Sequence, residues 1–440
     1  MFPLYSILYS AAFVLMSPLF LMRREKYASG FRERLGNYEE FADDGRPVIW
    51  LHAVSVGEAN AARPLVNEMR RLYPGHRVVI STTTRTGQEL AKKIFDGKAD
   101  AVFYFPFDWK FSVRRALKHF KPAVVLLMET EIWPRFIREA KLSGARVAIV
   151  NGRLSQRSYS RYSRIKGMLR RVLGDVDVAL TQGAGDANRL ISLGLAAAKA
   201  KVTGNMKFDI ETGGGEAGSE IAERFGFESE RPVIIAASTH QPEERWILDA
   251  YCSMAAEPAG PRPRLVIAPR HPERFDDVMR LMREFKDNEA CEWRRYRTAR
   301  RSAAPEDGDR DADVILLDSI GELRELYRYA DVAFVGGSLI PHGGQSVLEP
   351  AAAGAAVVTG PHTENFADAI GVFRANGAIV QLEEDAREEA IPDSIYLAIS
   401  DLLEDAERRR ELGRNAAAVM ANNRGATART VEELAALIGG

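Results

Sequence analysis

Two groups of residues in this 440-residue chain have the types and spacing to do chemistry. The first is a glycine-punctuated stretch, GGSLIPHGGQSVLEPAAAGAAVVTGPHTENF, at 336–366. The apolar run from Asp331 to Val335 reads as a buried strand that leads straight into Gly336-Gly337. A second pair, Gly343-Gly344, precedes a helix expected to begin at about Ser346, with Glu349 in its first turn. A strand, a glycine loop and a helix start leave free N–H groups that can meet a phosphate. Glu349 could then accept hydrogen bonds from a ribose diol. A plain tight turn is the other reading of the same glycines.

The second group is a set of carboxylates and cations. Glu58 follows Ser55-Val56-Gly57, where it suits either a general base or a first-turn partner of the helix dipole. Glu129 and Glu131 end a strand of six apolar residues, an expensive place for charge without a partner or a purpose. Lys207, Arg270 and Arg153 could meet developing negative charge without a metal, or form surface ion pairs. His271 precedes Pro272 at a helix start, where capping competes with ligand contact.

The elements that must position these residues come from hydrophobic patterning. Strand-like segments Val48–His52, Val78–Thr82, Ala101–Phe105, Ala123–Met128, Arg146–Val150 and Val176–Thr181 alternate with helical patterns. After a pause the alternation resumes at Val233–Ala237, Leu265–Ala268, Val314–Leu317, Val332–Val335, Ala355–Thr359 and Ala378–Val380, and helices fill the chain from about 387. Such alternation predicts an α/β fold with parallel sheets covered on both faces. The polar, glycine-rich ETGGGEAGS at 211–219 reads as a linker between two domains. Its formal match to a dinucleotide fingerprint at Gly213, Gly215 and Gly218 has no strand immediately before it and reads as accidental.

Composition adds limits. Lys and Arg number 60 against 61 Asp and Glu, so there is no global pull towards nucleic acid. Cys252 and Cys291 have no metal-type spacing and fit a reducing compartment, with neither a disulfide framework nor a zinc site. The aspartates at 307, 309, 311 and 313 could suggest a metal site, but they follow the basic run RRYRTARR in a polar loop that reads as solvated charge. Residues 1–22 carry no charge and are mostly apolar, and Arg23, Arg24 and Lys26 follow. This predicts a membrane anchor, spanning or, because of Pro18, monotopic, with the remaining chain on the cytoplasmic side. The basic stretch 153–171 could lie against anionic lipid, grip acceptor phosphates or be a solvated helix face.

The motifs LHAVSVGE (51–58), METEIWP (128–134), NGRLS (151–155), TGNMKFD (203–209), APRHPERF (268–275), VGGSL (335–339) and LEPAAAG with GPHTENF resemble the Kdo (3-deoxy-D-manno-octulosonic acid) transferase family of lipopolysaccharide biosynthesis. That resemblance implies a GT-B fold of two Rossmann-like domains facing across a cleft. Its divisions would be an anchor at 1–24, an acceptor-binding domain at 25–210 and a nucleotide-sugar domain at 211–440, with a last helix able to pack back on the N-terminal domain. It implies inverting transfer of Kdo from CMP-Kdo to a lipid A precursor at the cytoplasmic face of the inner membrane, with no metal or other cofactor and no nucleic acid partner. Position by position, it makes Glu58 the general base, with Glu129 and Lys207 as transition-state stabilisers. CMP contacts are implied for Pro269, Arg270, Ile320, Gly321, Glu322, Ser346, Val347, Leu348 and Glu349. Where the family commonly reads GGHNPLEP this chain has GGQSVLEP, and Ile320 stands where methionine is usual. A GT-B enzyme using a UDP-sugar, whether transferase or epimerase, and a non-catalytic sensor are the alternatives.

Overall fold

The computed structural model describes residues 2–22, 29–210, 216–256, 261–287, 296–384 and 387–439; for 16–22, 216–217, 256 and 286–287 it describes the backbone alone. The chain divides into two compact units, Met1–Asp209 with Asn423–Gly440, and Ile210–Asn422. Each is built on one seven-stranded parallel sheet.

In the first unit the strands are β1 (Val48–His52), β2 (Arg77–Thr82), β3 (Ala101–Tyr104), β4 (Pro122–Met128), β5 (Arg146–Gly152), β6 (Val178–Thr181) and β7 (Ala200–Val202). Their order is β3-β2-β1-β4-β5-β6-β7. The central strands VIWLH and VVLLM are apolar along their length because helices cover both faces of the sheet. Trp50 sits opposite Val79 and Val125 in the ladder and is fully buried among Phe103, Phe120 and Phe136. Its indole N–H donates to Ser81 Oγ at 2.7 Å, which satisfies the polar atom it carries inward. The opposite face holds Ile49, Leu51, Leu65 and Met69, and the C-terminal helix Ala426–Ile438 joins that same core through Val431, Leu434 and Ile438. Asp209 caps that helix, its carboxylate accepting from the N–H groups of Gly425 and Thr427.

In the second unit the strands are β8 (Val233–Thr239), β9 (Arg264–Pro269), β10 (Thr298–Arg300), β11 (Val314–Leu316), β12 (Val332–Val335), β13 (Ala356–Thr359) and β14 (Val380–Gln381). They are ordered β10-β11-β9-β8-β12-β13-β14.

The two-sheet α/β architecture is the one the alternation predicts, and several local expectations are corrected. Short β7 (AKV) and β10 (TAR) are edge strands that the pattern missed, because a charged residue interrupts each and neither is an apolar run. Two described cations of the basic run are paired and not loose in solvent: Arg300 binds Asp318 and Asp276, and Arg301 binds Glu322 and Glu220. Asp309 and Asp313, also expected to be solvated, are buried against Arg224 and Arg231. Glu216–Phe225 is a helix, so the end of the expected linker is ordered, while 211–215 lie outside the described residues. Gly218 is on that helix, and a Cβ there would meet the Glu325 Cβ at 2.8 Å. The helix expected from Ser346 begins at Leu348 and has a single turn, Leu348–Ala352. Cys252 is disulfide-bonded, against the expectation of reduced cysteines; Cys291 lies outside the described residues.

Phe2–Met22 forms one helix. Tyr5 donates to the Asp108 carboxylate at 2.7 Å, Trp109 donates to Ser10 at 3.0 Å, and Arg135 donates to Ser6 and to the Phe2 carbonyl. Leu4, Ile7, Leu8, Val14 and Leu15 on other positions of the helix are exposed. Among the described residues no helix is long and apolar enough to cross a membrane, and no anchor is shown.

Asp108 also caps the helix Pro134–Leu142, accepting from the N–H groups of Arg135 and Phe136 at 3.0 and 2.7 Å. A buried carboxylate with these three donors joins two helices at one point. Asp108→Ala is therefore expected to lower stability by about 2–3 kcal/mol, against about 1 kcal/mol for Tyr5→Phe, which removes a single donor. Urea unfolding midpoints of the two variants check the order; equal losses would mean that the helix cap carries none of the effect.

Candidate active site

Parallel sheets bind ligands outside the carboxyl ends of their strands, at the point where the strand order reverses. In the first sheet that point lies between β1 and β4. Glu58 follows one strand and Glu129 follows the other.

Ser55 is the N-cap of the helix Val56–Leu72, and its hydroxyl accepts from the Glu58 N–H. The Glu58 carboxylate reaches back to accept from the Val54 N–H at 2.8 Å and the Ser55 hydroxyl at 3.1 Å. The amide it caps belongs to the residue before the N-cap, a variant of the capping box, so the first-turn role weighed from sequence is present. It does not account for the burial: the residue is only 7% exposed. Burial, with the Glu129 charge adding to it, pushes its carboxyl up to about 8. Glu131 is pushed up to about 7 by burial, with Glu129 again adding.

Glu129 ends β4 with a φ of 53°, a left-handed conformation that costs a glutamate of order 1 kcal/mol or more. Its N–H donates to the Val150 carbonyl at 2.9 Å, and its carboxylate meets Lys207 Nζ at 2.8 Å. Lys207 lies on the single turn Met206–Phe208, whose cap is Asn205. Asn151, at the end of β5 with a φ of 52°, accepts from the Met206 N–H at 3.0 Å and so sets where that turn begins. The sequence shows Asn151 only within the NGRLS motif, without a role; an asparagine before glycine at a strand end is the signal that points to αL.

In the second sheet the order reverses between β8 and β12. Here the glycine loop is not what the sequence suggested. The N–H groups of Gly337, Ser338 and Leu339 donate to Glu243, at 2.7, 3.0 and 3.0 Å, and the His240 N–H donates to it at 2.9 Å. The anion in this nest of amides is the protein's own carboxylate, fully buried. Those three amides are therefore not available to a phosphate, which corrects the reading of Gly336-Gly337.

The other expected contact residues surround that point in sequence and strand order. Pro269 ends β9, and the exposed Arg270 donates its N–H to the Thr239 carbonyl at 3.0 Å. Ile320 is 76% exposed, and Gly321 has a φ of 96° that favours glycine. Glu322 is paired with Arg301 at 3.0 Å and accepts from Ser319. Ser346 accepts from the Leu348 N–H at 3.4 Å, while Val347 and Leu348 are buried. Glu349 is half-buried, and its charge helps to raise the buried Tyr327 hydroxyl, second to burial itself. Thus Glu129 and Lys207 are brought together, Glu58 feels the Glu129 charge, and Glu322 is tied to a partner that no motif contained. Among the described residues no group of three or more His, Cys, Asp or Glu is arranged to hold a metal ion.

Comparison with known proteins adds the following. A family model described as 3-Deoxy-D-manno-octulosonic-acid transferase (kdotransferase) matches residues 29–210. The chain is 34% identical over 435 residues to the 3-deoxy-D-manno-octulosonic acid transferase of Haemophilus influenzae, covering 97% of each. It is 35% identical over 392 residues to the enzyme of that name from Bordetella pertussis, covering 88% of this chain and 86% of that one. Among solved structures, UDP-GlcNAc 2-epimerase from Neisseria meningitidis bound to UDP-GlcNAc aligns with a TM-score of 0.55 at 14% identity, over 89% of this chain and 100% of that one. At that identity the likeness is one of fold alone.

The Glu58 shift has a consequence for stability. Folding raises its carboxyl from 4.5 to about 8, so the folded state holds a proton that the unfolded chain releases. The stability this contributes is complete below 4.5 and is lost as pH rises through about 8. Between pH 5 and 9 the melting temperature of the native protein is expected to fall more steeply than that of Glu58→Gln. Parallel melting curves across that range would mean that Glu58 ionises as an exposed glutamate does.

Proposed function

The chain belongs to the family of 3-deoxy-D-manno-octulosonic acid (Kdo) transferases, and we propose that it moves Kdo from CMP-Kdo to a hydroxyl of a lipid A precursor with inversion. The observation that carries the mechanism is Glu58, a buried carboxylate at a strand end whose affinity for a proton is raised into the range a general base needs. The acceptor oxygen attacks the anomeric carbon of Kdo, its proton passes to Glu58, and the bond from that carbon to the phosphate oxygen breaks. The electron pair of that bond leaves with CMP. Lys207, held beside Glu129, stabilises the charge that develops during transfer, and Arg270 meets the phosphate. The reading needs neither metal nor cofactor. It assigns acceptor activation to the first unit and CMP to the second, through Pro269, Arg270, Ile320 to Glu322 and Ser346 to Glu349. Ser346 stands where the family carries asparagine, so a short hydroxyl takes the place of an amide towards the nucleotide.

The same reading puts the protein on the cytoplasmic face of the inner membrane. Support comes from the helix Phe2–Met22, which is tied to the first unit by Tyr5 and Ser10 while Leu4, Ile7, Leu8, Val14 and Leu15 remain exposed. Apolar side chains in that arrangement suit the headgroup–acyl boundary.

Two experiments test these assignments. Glu58→Gln keeps size and hydrogen bonding but removes basicity, so turnover of CMP-Kdo with a lipid A precursor is expected to fall by roughly 10²–10⁴-fold. CMP affinity by calorimetry stays at the native value. A variant that keeps more than about a tenth of the rate, well short of a lost base, moves that role to Glu129 or Glu131. For the membrane, Leu8→Asp with Val14→Asp alters exposed positions and leaves the Asp108 contacts intact. Its sedimentation with anionic vesicles is expected to drop several-fold at an unchanged melting temperature; unchanged sedimentation would remove the helix from the membrane reading.

A further inference from the structure

Three imidazoles meet at the reversal point of the second sheet, and the transfer chemistry above uses none of them. His240 follows β8, His271 follows β9, and His342 lies in the loop after β12. The His240 ring centroid is 4.4 Å from that of His342 and 5.3 Å from that of His271. The ladder between β8 and β9 shifts register between Ala237 and Thr239, and Ser238 takes a φ of 54°. This bulge turns the chain so that His240 stands inward while His271 and His342 remain exposed.

The hydrogen bonds decide which nitrogen carries the proton. His240 Nδ1 lies 3.1 Å from the Ser238 carbonyl and 3.9 Å from a Glu243 oxygen. Both are acceptors, so the hydrogen is on Nδ1, and Nε2 presents a bare lone pair. His240 is 7% exposed, and its Nε2 is buried with no hydrogen-bond partner. Burial holds the imidazole down to about 4, with the charges of His342 and His271 adding and that of Glu244 opposing, so it is neutral at physiological pH. The glycine loop packs directly on the ring: a Cβ at Gly337 would stand 3.3 Å from Cε1. An unpaired acceptor held this firmly at a ligand-binding edge is matched by a donor, and a neutral lone pair selects a hydroxyl over a phosphate.

We propose that His240 Nε2 accepts a hydrogen bond from a hydroxyl of the bound nucleotide sugar, with the exposed rings of His271 and His342 turning aside to admit it. The inference rests on the transferase reading for the identity of the ligand. The hydroxyl belongs either to the ribose or to the sugar being transferred, and the two sources are separable.

The test compares His240→Phe, which fills the space without an acceptor, with His240→Gln, which restores an acceptor oxygen. The full-length protein is assayed for turnover of CMP-Kdo and for CMP binding by calorimetry. The Phe variant is expected to raise KM for CMP-Kdo about tenfold with kcat little changed, the effect of one lost hydrogen bond. The Gln variant recovers most of it. Unchanged CMP affinity in the Phe variant assigns the hydroxyl to the transferred sugar, and a matching loss assigns it to the ribose. Four outcomes overturn the proposal. One is a KM unmoved by Phe, and another is equal damage by Phe and Gln with a lowered melting temperature. A third is native donor affinity that falls from pH 6 to 8 through this residue, which would make it an imidazolium for phosphate. The last is activity abolished by chelator and restored by zinc, which would make the cluster a metal site. Native protein that binds CMP but does not turn over CMP-Kdo would sink the donor assignment instead, and the CMP arm would still judge His240.

Discussion

A lysine ammonium 2.8 Å from a carboxylate, Lys207 against Glu129, is the contact around which the carboxylates of the first unit are arranged. Glu58, Glu129 and Glu131 stand near enough for their charges to interact at the strand ends. Three carboxylates cannot all be ionised there without a cation close by. Lys207 stands against Glu129, and the Glu129 charge helps burial to raise Glu58 and Glu131. Residues with the same functional group thus stand in different surroundings, Glu129 against a cation and Glu58 and Glu131 buried near its charge. The backbone takes part as well: Glu129 and Asn151 both occupy left-handed conformations, one aiming the carboxylate and the other fixing the turn that carries Lys207. Strain of this kind persists where the surrounding structure over-determines it.

That turn has a second attachment. Asp209 follows it directly and caps the helix Ala426–Ile438, while Thr203 receives a hydrogen bond from Thr430 and its carbonyl one from Arg429. The last helix therefore supports the segment that presents the lysine, although it lies more than two hundred residues away in sequence.

In the second unit, Glu243 does for the backbone what Lys207 does for a side chain. Four N–H groups converge on it, which lets a fully buried carboxylate exist and fixes the turn after β12 before any ligand arrives. A glycine loop whose amides are already satisfied becomes a rigid wall. In the proposed reading, discrimination then falls to side chains, Arg270, Ser346, Glu349 and His240 among them.

The sequence by itself determined the architecture. Strand and helix periods are local properties, and runs such as VIWLH and VVLLM have to be buried on both faces. It also determined where Glu58 and Glu129 stand, because each follows the end of an apolar strand. The edge strands AKV and TAR escaped because a charged residue breaks each one's apolar pattern. What only the tertiary structure decided was pairing across long separations. Lys207 meets Glu129 from 78 positions away, Glu243 meets Gly337 from 94, and Arg301 takes Glu322. Each depends on how crossover connections set strands side by side, and a composition of charges is compatible with many such pairings. The occupant of the glycine loop is the clearest case. The glycines announce an anion, and the fold supplies one from within the chain.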